Sequence, residues 1–333
     1  MFVEISEMQD GHKQNYKSPF FNISAGVPQG SILGPILFIL FTNDLINYIN
    51  KILPDIQLVV FADDTNAIIG ANNSKELTGK VNAALSYLYS WFTINKLKIN
   101  STKTKIMLFK TTARYKDTME IRLNDDKIEL VREAKFLGVH IDDSLNWKKE
   151  LATIDASISS SCYALRTLRD EIDIKQLKIV YYALIESKLR YSIQFWGNSY
   201  NYNCQRAFVL QKRAIRTIVR ISQRESCRLH FLDLNILTIP SLYVLVLLTN
   251  LKKYIHEYET NEERLVREST RRKDLKSKIQ PHLNIVKHSS QYQAVQIFNK
   301  LPLHLKEMFY TSSFKTKLQT FLLDKCLYSV DEM

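Results

Sequence analysis

With 333 residues, 45% of them hydrophobic, the chain can bury one or two substantial cores, and its net charge of +12 calls for a polyanionic partner. Its most apolar run, Leu242-Tyr-Val-Leu-Val-Leu-Leu248, is seven residues long and excludes a bilayer span, which needs about 20. No secretory signal opens the sequence and four widely spaced cysteines suit a reducing compartment, so a nuclear or cytoplasmic, non-secreted protein is expected.

In chain order, Phe2 to Ile23 reads as strand and turn. Ser24-Ala-Gly-Val-Pro-Gln-Gly-Ser-Ile-Leu-Gly-Pro35 then packs Gly26, Gly30 and Gly34, three of the chain's eight glycines, into nine residues. Glycine permits unusual φ and close backbone approach to a ligand. Ser31 is placed to cap a helix, Pro35 suits a first turn, and Leu33, Leu37, Leu40 and Phe41 follow at helical spacing. The spacing predicts a helix over about 31–49. A glycine-rich turn entering a helix suits phosphate or sugar contact, although a tight turn before a core helix explains the same residues.

Val59-Val-Phe-Ala-Asp-Asp-Thr-Asn-Ala-Ile-Ile-Gly70 sets two adjacent carboxylates between two β-prone runs. A hairpin there would hold Asp63 and Asp64 at its tip. Like charges so close repel unless a cation intervenes, and a hard divalent ion such as Mg²⁺ prefers oxygen donors. The two other Asp-Asp pairs, Asp125-Asp126 and Asp142-Asp143, read as solvated turns. A helix over about 75–95 follows, with Leu77, Val81, Leu85, Leu88 and Phe92 on one side. Lys103 falls in a polar turn before the strand-like Ile106 to Phe109, where it can reach a phosphate or remain a solvated surface lysine.

These motifs, in this order, resemble the reverse transcriptases of non-LTR (LINE-like) retrotransposons of the jockey/CR1 kind. Gly26 to Phe38 with Asn43-Asp44-Leu45 is similar to the family's motif B, and Phe61-Ala-Asp-Asp64 to its motif C. Trp91, Asn95, Leu97, Asn100, Lys103-Thr104 and Met107 resemble motif D. Phe136-Leu-Gly-Val-His-Ile-Asp142 with Leu145 and Trp147 resembles motif E, and the likeness continues through Tyr181-Tyr-Ala-Leu184, Tyr191, Trp196-Gly197, Gln211 to Arg216 and Asn299-Lys-Leu-Pro302. The resemblance implies that Asp63 and Asp64 are palm carboxylates holding Mg²⁺ (or Mn²⁺), with Lys103 approaching the phosphates of a dNTP. It implies that Gln29 and Gly30 line the nucleotide and template–primer side, and that Phe61 and Ala62 pack beneath the primer end. RNA template and DNA primer are the implied partners.

The family also uses a motif A carboxylate upstream of motif B, whereas the only aspartate before Gly26 here is Asp10, in a turn-like setting. The expectation is therefore the C-terminal part of a polymerase, inactive alone unless the missing fingers and palm portion is supplied. The expected fold is α+β: a partial palm over 1–150, a helical thumb-like region over 151–230, and a helical C-terminal region over 231–333 with a charged linker near 260–280.

Charge is uneven. Residues 1–150 carry 18 Lys/Arg against 17 Asp/Glu, and residues 151–333 carry 28 against 17. The segment Arg206 to Arg228 reads as one helix whose Arg213, Arg216, Arg220, Arg224 and Arg228 share a face, with Glu225 its only acid. That face suits a phosphate backbone better than self-assembly. Arg264 to Lys278 reads as a charged linker. Cys227 and His230 are two candidate ligands, too few for zinc. Two further readings stand beside the polymerase module: a non-catalytic nucleic-acid-binding remnant of a degraded transposon, and an unrelated Mg²⁺ phosphohydrolase. The last is disfavoured because such enzymes commonly use Asp-x-Asp.

Overall fold

The computed structural model describes residues 4–9, 12–19, 26–27, 30–109, 119–123, 126–198, 202–260, 265–267, 275–277 and 284–333. Of 4–9, 12–16, 202–203, 256–260, 265–267, 275–277 and 284–285 only the backbone is described. Helices and short antiparallel strands make the chain α+β. It divides into two compact units, Met1–Ile106 with Thr112–Leu130, and Met107–Thr111 with Val131–Met333.

The first unit opens with β1 (Glu4–Gln9) paired antiparallel to β2 (His12–Lys17). The expected helix over 31–49 is two helices, α1 (Gly34–Thr42) and α2 (Leu45–Ile52). Asn43 and Asp44 make the break, as short polar side chains that disfavour helix interiors do. Ser31 Oγ accepts from Gly34 N–H at 3.0 Å, three residues ahead of the first helical position and not as the residue flanking it, which is Leu33. β3 (Ile56–Phe61) and β4 (Asp64–Ile69) form a hairpin, and α3 (Ser74–Ile94) follows. Asn73 caps α3 by accepting from Glu76 N–H at 2.9 Å. The short strands β5 (Lys105–Met107), β6 (Arg122–Leu123), β7 (Asp126–Lys127) and β8 (Glu129–Val131) come next. Leu45 and Ile49 of α2 and Leu88 and Trp91 of α3 form the small core that receives one face of the β3–β4 hairpin through Leu58 and Val60.

The second unit starts with the hairpin β9 (Glu133–Phe136) and β10 (Val139–Asp142). Its turn residues Leu137 and Gly138 both have positive φ, the backbone a two-residue connection between twisted strands requires. Tyr191 Oη donates to Leu137 O, anchoring the turn. The carboxylate of Asp142, expected to be a solvated turn residue, is partly buried and accepts from the N–H groups of Ser144, Asn146 and Trp147, which leads the chain into α4 (Lys148–Leu168). Then come α5 (Ile174–Tyr181), a π-helical turn at Tyr182–Glu186, α6 (Ser187–Arg190), α7 (Ile193–Trp196) and α8 (Tyr202–Val219). After them lie α9 (Arg228–Asp233), α10 (Ile239–Thr260), α11 (Asn284–Lys287), α12 (Ser290–Lys300), α13 (Leu303–Glu307) and α14 (Phe314–Lys325). Within the segment read as a charged linker, β11 (Leu265–Arg267) pairs antiparallel with β12 (Leu275–Ser277), and the rest of 261–283 lies outside the described residues.

One continuous core fills this unit, and Leu242 to Leu245, Leu247 and Leu248 of α10 run through it. That explains the apolar run: no described helix is long and apolar enough to cross a membrane. Gln211 is fully buried, and its amide is satisfied on both sides. Nε2 donates to Tyr181 Oη and to Leu237 O, each at 2.8 Å, while Oε1 accepts from Ile239 N–H at 2.9 Å. Such a network ties α5, α8 and the start of α10 into one register. Gly197 is set by close approach: a Cβ there would lie 2.5 Å from Tyr243 Cδ2 and 2.6 Å from Ile193 O.

The expected single helix Arg206 to Arg228 ends at Val219. Arg220 adopts φ 60° and Ile221 N–H returns to Arg216 O at 3.1 Å, a left-handed helix stop made without glycine. Ile221 packs against the core, and that burial drives the stop.

Two outcomes follow from these contacts. Gly197→Ala will destabilise by about 1–3 kcal/mol through overpacking, whereas Gly79→Ala, in α3 with open space around the position, will stabilise by about 0.5–1 kcal/mol. Denaturant unfolding reads both. Burial raises the Asp142 carboxyl, but the hydrogen bonds from Ser144, Asn146 and Trp147 outweigh it and hold the group below its ordinary value. Its contribution to stability is therefore complete above the ordinary carboxylate pKa of about 4 and lost as pH falls through the depressed value. Melting temperatures measured from pH 2 to 7 will fall less steeply on the acid side in Asp142→Asn than in the parent.

Candidate active site

The register of the hairpin decides what Asp63 and Asp64 can do. Phe61 pairs with Asp64, Val60 with Thr65, Val59 with Asn66 and Gln57 with Ile68, leaving Ala62 and Asp63 as a two-residue turn. Side chains alternate between the faces of a strand, and paired residues share a face. Leu58 and Val60 therefore point toward α2 and α3, and buried Ile56 shares their face. Val59, Phe61, Asp64, Asn66 and Ile68 occupy the opposite face, where Phe61 is 60% and Ile68 58% exposed. Ala62 takes φ 50°, a left-handed conformation that costs an L-residue roughly 1–2 kcal/mol.

Both carboxylates are exposed, and no hydrogen bond or ion pair engages either among the described interactions. Adjacent oxygen donors free of protein partners suit a hard divalent cation. Among the described residues no group of three or more His, Cys, Asp or Glu is assembled. Asn66 was not singled out by sequence. Its side-chain Nδ2 is buried without a hydrogen-bond partner on the Asp64 face, and only the strand register reveals that placement.

The remaining expected residues are distributed as follows. Gly30 is exposed with φ 85°, a conformation only glycine adopts without strain. Gln29 lies outside the described residues. Lys103 is exposed in the turn after Asn100, which accepts its backbone N–H through Oδ1 at 3.2 Å, and no ion pair joins its ammonium to Asp63 or Asp64. The helix α1, for which a core helix was one of two readings, buries none of its residues: Ile39, Leu40 and Phe41 are all exposed, Leu40 to 67%. Apolar side chains are thus exposed both on α1 and on the carboxylate face of the hairpin. Cys227 Sγ meets Tyr328 Oη at 3.8 Å and His230 Nδ1 meets Asp233 at 3.2 Å, so the two candidate ligands have separate partners.

Residues 5–141 match the family model for reverse transcriptase (RNA-dependent DNA polymerase). The chain is 30% identical over 200 residues to a probable RNA-directed DNA polymerase from transposon BS of Drosophila melanogaster, covering 58% of this chain and 22% of that protein. It is 26% identical over 203 residues to the RNA-directed DNA polymerase from mobile element jockey of Drosophila funebris, covering 59% and 22%. A Pol polyprotein from the type-1 retrotransposable element R1 of Bradysia coprophila is 24% identical, covering 60% and 20%. This region belongs to the non-LTR retrotransposon reverse transcriptases.

The chain thus spans about a fifth of the length of these reverse transcriptase relatives. No solved structure matches at the stringency those relatives meet. Reverse transcriptases depend on divalent metal and use nucleic acid template, primer and deoxynucleotides. The matched segment contains the hairpin with Asp63 and Asp64, Gly30 and Lys103.

If the hairpin's outer face is open in the isolated chain, Phe61→Thr and Ile68→Thr will each change unfolding free energy by less than about 0.5 kcal/mol. Ile56→Ala, on the inner face and 3% exposed, will cost about 2–5 kcal/mol. Equal costs on the two faces, read from urea unfolding, would contradict the assigned register.

Proposed function

We propose that the chain supplies the carboxylate-bearing part of a reverse transcriptase palm, followed by a thumb-like helical region over 151–230 and a C-terminal helical region over 231–333. It acts within a longer RNA-directed DNA polymerase. The observation that carries this reading is the β3–β4 hairpin, which presents Asp64 and Asn66 on a face shared with bare Val59, Phe61 and Ile68, next to the Asp63 turn. A face of that kind fits a palm whose remaining part lies on top of it.

In this reading Asp63 and Asp64 hold Mg²⁺ or Mn²⁺ together with a carboxylate from the remaining palm. The ion, when bound, neutralises charge during in-line nucleotidyl transfer. The chain's own residues position the reactants. Lys103, on a turn fixed by Asn100, offers a cation to the phosphates of the incoming dNTP. Gly30, with Gln29, forms a backbone surface on the nucleotide and template–primer side. Phe61 and Ala62 furnish an apolar floor under the primer end, and the left-handed Ala62 aims the turn. The basic side of the second unit, along α8, faces the template–primer backbone. Its attraction is independent of sequence and sensitive to salt.

A second reading, a non-catalytic nucleic-acid-binding remnant, is favoured by one observation: the described residues assemble two carboxylates and no third ligand. Primer extension separates the two. The isolated chain will bind a DNA-primed RNA template but will not extend it with Mg²⁺ and dNTPs. Adding the upstream polymerase segment of a relative in trans will restore extension, and Asp63→Asn will abolish it while leaving duplex binding intact. Failure of that complementation favours the remnant. Extension by the chain alone, lost in Asp63→Asn, would overturn the partial-site account.

A further inference from the structure

Three contacts show how α4 and α8 lie against each other. Arg206 Nε is 3.5 Å from Asp155 Oδ2, Cys162 Sγ lies 3.6 Å from Leu210 O, and an Arg220 guanidinium nitrogen donates to Arg169 O. The partners advance together along both helices, from 155 and 206 to 169 and 220, so α4 and α8 run parallel. Arg206 and Arg213 are seven residues apart on α8, two helical turns or about 10.5 Å, and Arg220 follows at the left-handed residue that ends the helix. They occupy the α8 edge of the seam between the helices, opposite Asp155, Cys162 and Arg169.

Each of the three is exposed, yet the two outer ones are held by α4. The Arg206 side chain is 61% exposed, while its anchor Asp155 is 4% exposed. Asp155 Oδ1 has no hydrogen-bond partner. A buried carboxylate with one unsatisfied oxygen is destabilising, and an apolar residue of similar size would serve the core better. Its retention next to an exposed guanidinium makes sense if it fixes that guanidinium in place. With Nε directed at Asp155, the four other N–H donors of Arg206 remain for a ligand. Arg213 sits one step on, near enough that its charge opposes the rise that burial gives the Cys162 thiol. Arg166, on the solvent side of α4 just beyond the Cys162 position, adds a fourth cation and stacks over exposed Tyr163 at 5.6 Å.

Of the arginines that continue the sequence stripe, Arg216 is half-buried and is tied, like Arg228, to segments beyond α8 and not to α4. Arg216 Nε donates to Glu225 O at 2.9 Å, and Arg228 pairs with Glu332 at 2.8 Å and lies over the Tyr328 ring. Arg224 falls in the loop beyond the end of α8.

We infer that the phosphate-contacting element of the second unit is the seam row Arg206–Arg213–Arg220, preset by α4 with Asp155 as a positioning residue, and not the stripe read along the sequence. Its ligand is the sugar-phosphate backbone of a template–primer duplex. Preorganised guanidiniums lose less side-chain freedom on binding, which favours them over mobile surface cations of equal charge. This refinement rests on the nucleic-acid-binding reading above.

Two triple variants with the same charge change test it: Arg206→Gln/Arg213→Gln/Arg220→Gln and Arg216→Gln/Arg224→Gln/Arg228→Gln. Binding of a fluorescent RNA–DNA hybrid duplex to the full chain is followed by anisotropy from 50 to about 300 mM salt. Circular dichroism melts confirm folding, and the single variant Arg206→Gln stands in if the seam triple unfolds. The seam triple will lose roughly tenfold or more in affinity, and its log–log salt slope will shrink by about 2–3, near one per lost contact. Arg206→Gln alone will reduce the slope by about one. The second triple will keep most of both. The reverse pattern, or equal losses, overturns the row while leaving duplex binding by this unit standing. Absence of salt-dependent binding by the parent chain overturns the broader reading, and the row with it.

Discussion

The two-residue alternation of a β-strand is the constraint on which the candidate site depends. Once Leu58 and Val60 are committed to the core made by α2 and α3, their neighbours Val59 and Phe61 must face the other way. The two-residue turn then carries Asp64 and Asn66 to that same outer face. A slip of one residue would bury the carboxylate and expose the core residues. The apolar contacts with Leu45, Ile49, Leu88 and Trp91 thus fix where the charge sits.

The same constraint explains why so much apolar surface is bare in the first unit. A two-stranded sheet is marginal by itself and needs a partner layer. α2 and α3 supply it on one side only. Val59, Phe61 and Ile68, together with α1, are left exposed among the described residues. The second unit is the opposite case. Its core is continuous from α4 to the C-terminal segment, and buried polar groups such as Gln211 and Thr238 are satisfied across elements distant in sequence. That closure lets α4 and α8 act as a rigid pair, which is what an ordered row of cations needs.

Much of this was legible in the sequence because the signals were local. The β-prone runs around Asp63-Asp64 and the periodic apolar face of α3 both rest on residues within about 20 positions of one another. The α+β class and the reverse transcriptase family were legible for the same reason. What was missed depended on tertiary contacts. Periodicity cannot tell a core helix from one whose apolar side is uncovered, so the sequence left the two readings of α1 open. The end of α8 at Val219 has no glycine to announce it, since Ile221 reaching the core enforces the stop. Asn66 and Arg206 acquire their significance only from the strand register and from Asp155 across the helix seam, partners that spacing along the chain does not reveal.

Manganese titration of the isolated, isotopically labelled chain addresses the central claim most directly. If Asp63 and Asp64 are the ion-holding pair, paramagnetic broadening will appear first at the amides of residues 61 to 66 and will vanish in Asp63→Asn/Asp64→Asn. Broadening that begins elsewhere, or persists undiminished in the double variant, would contradict the assignment of the hairpin as the metal-bearing element.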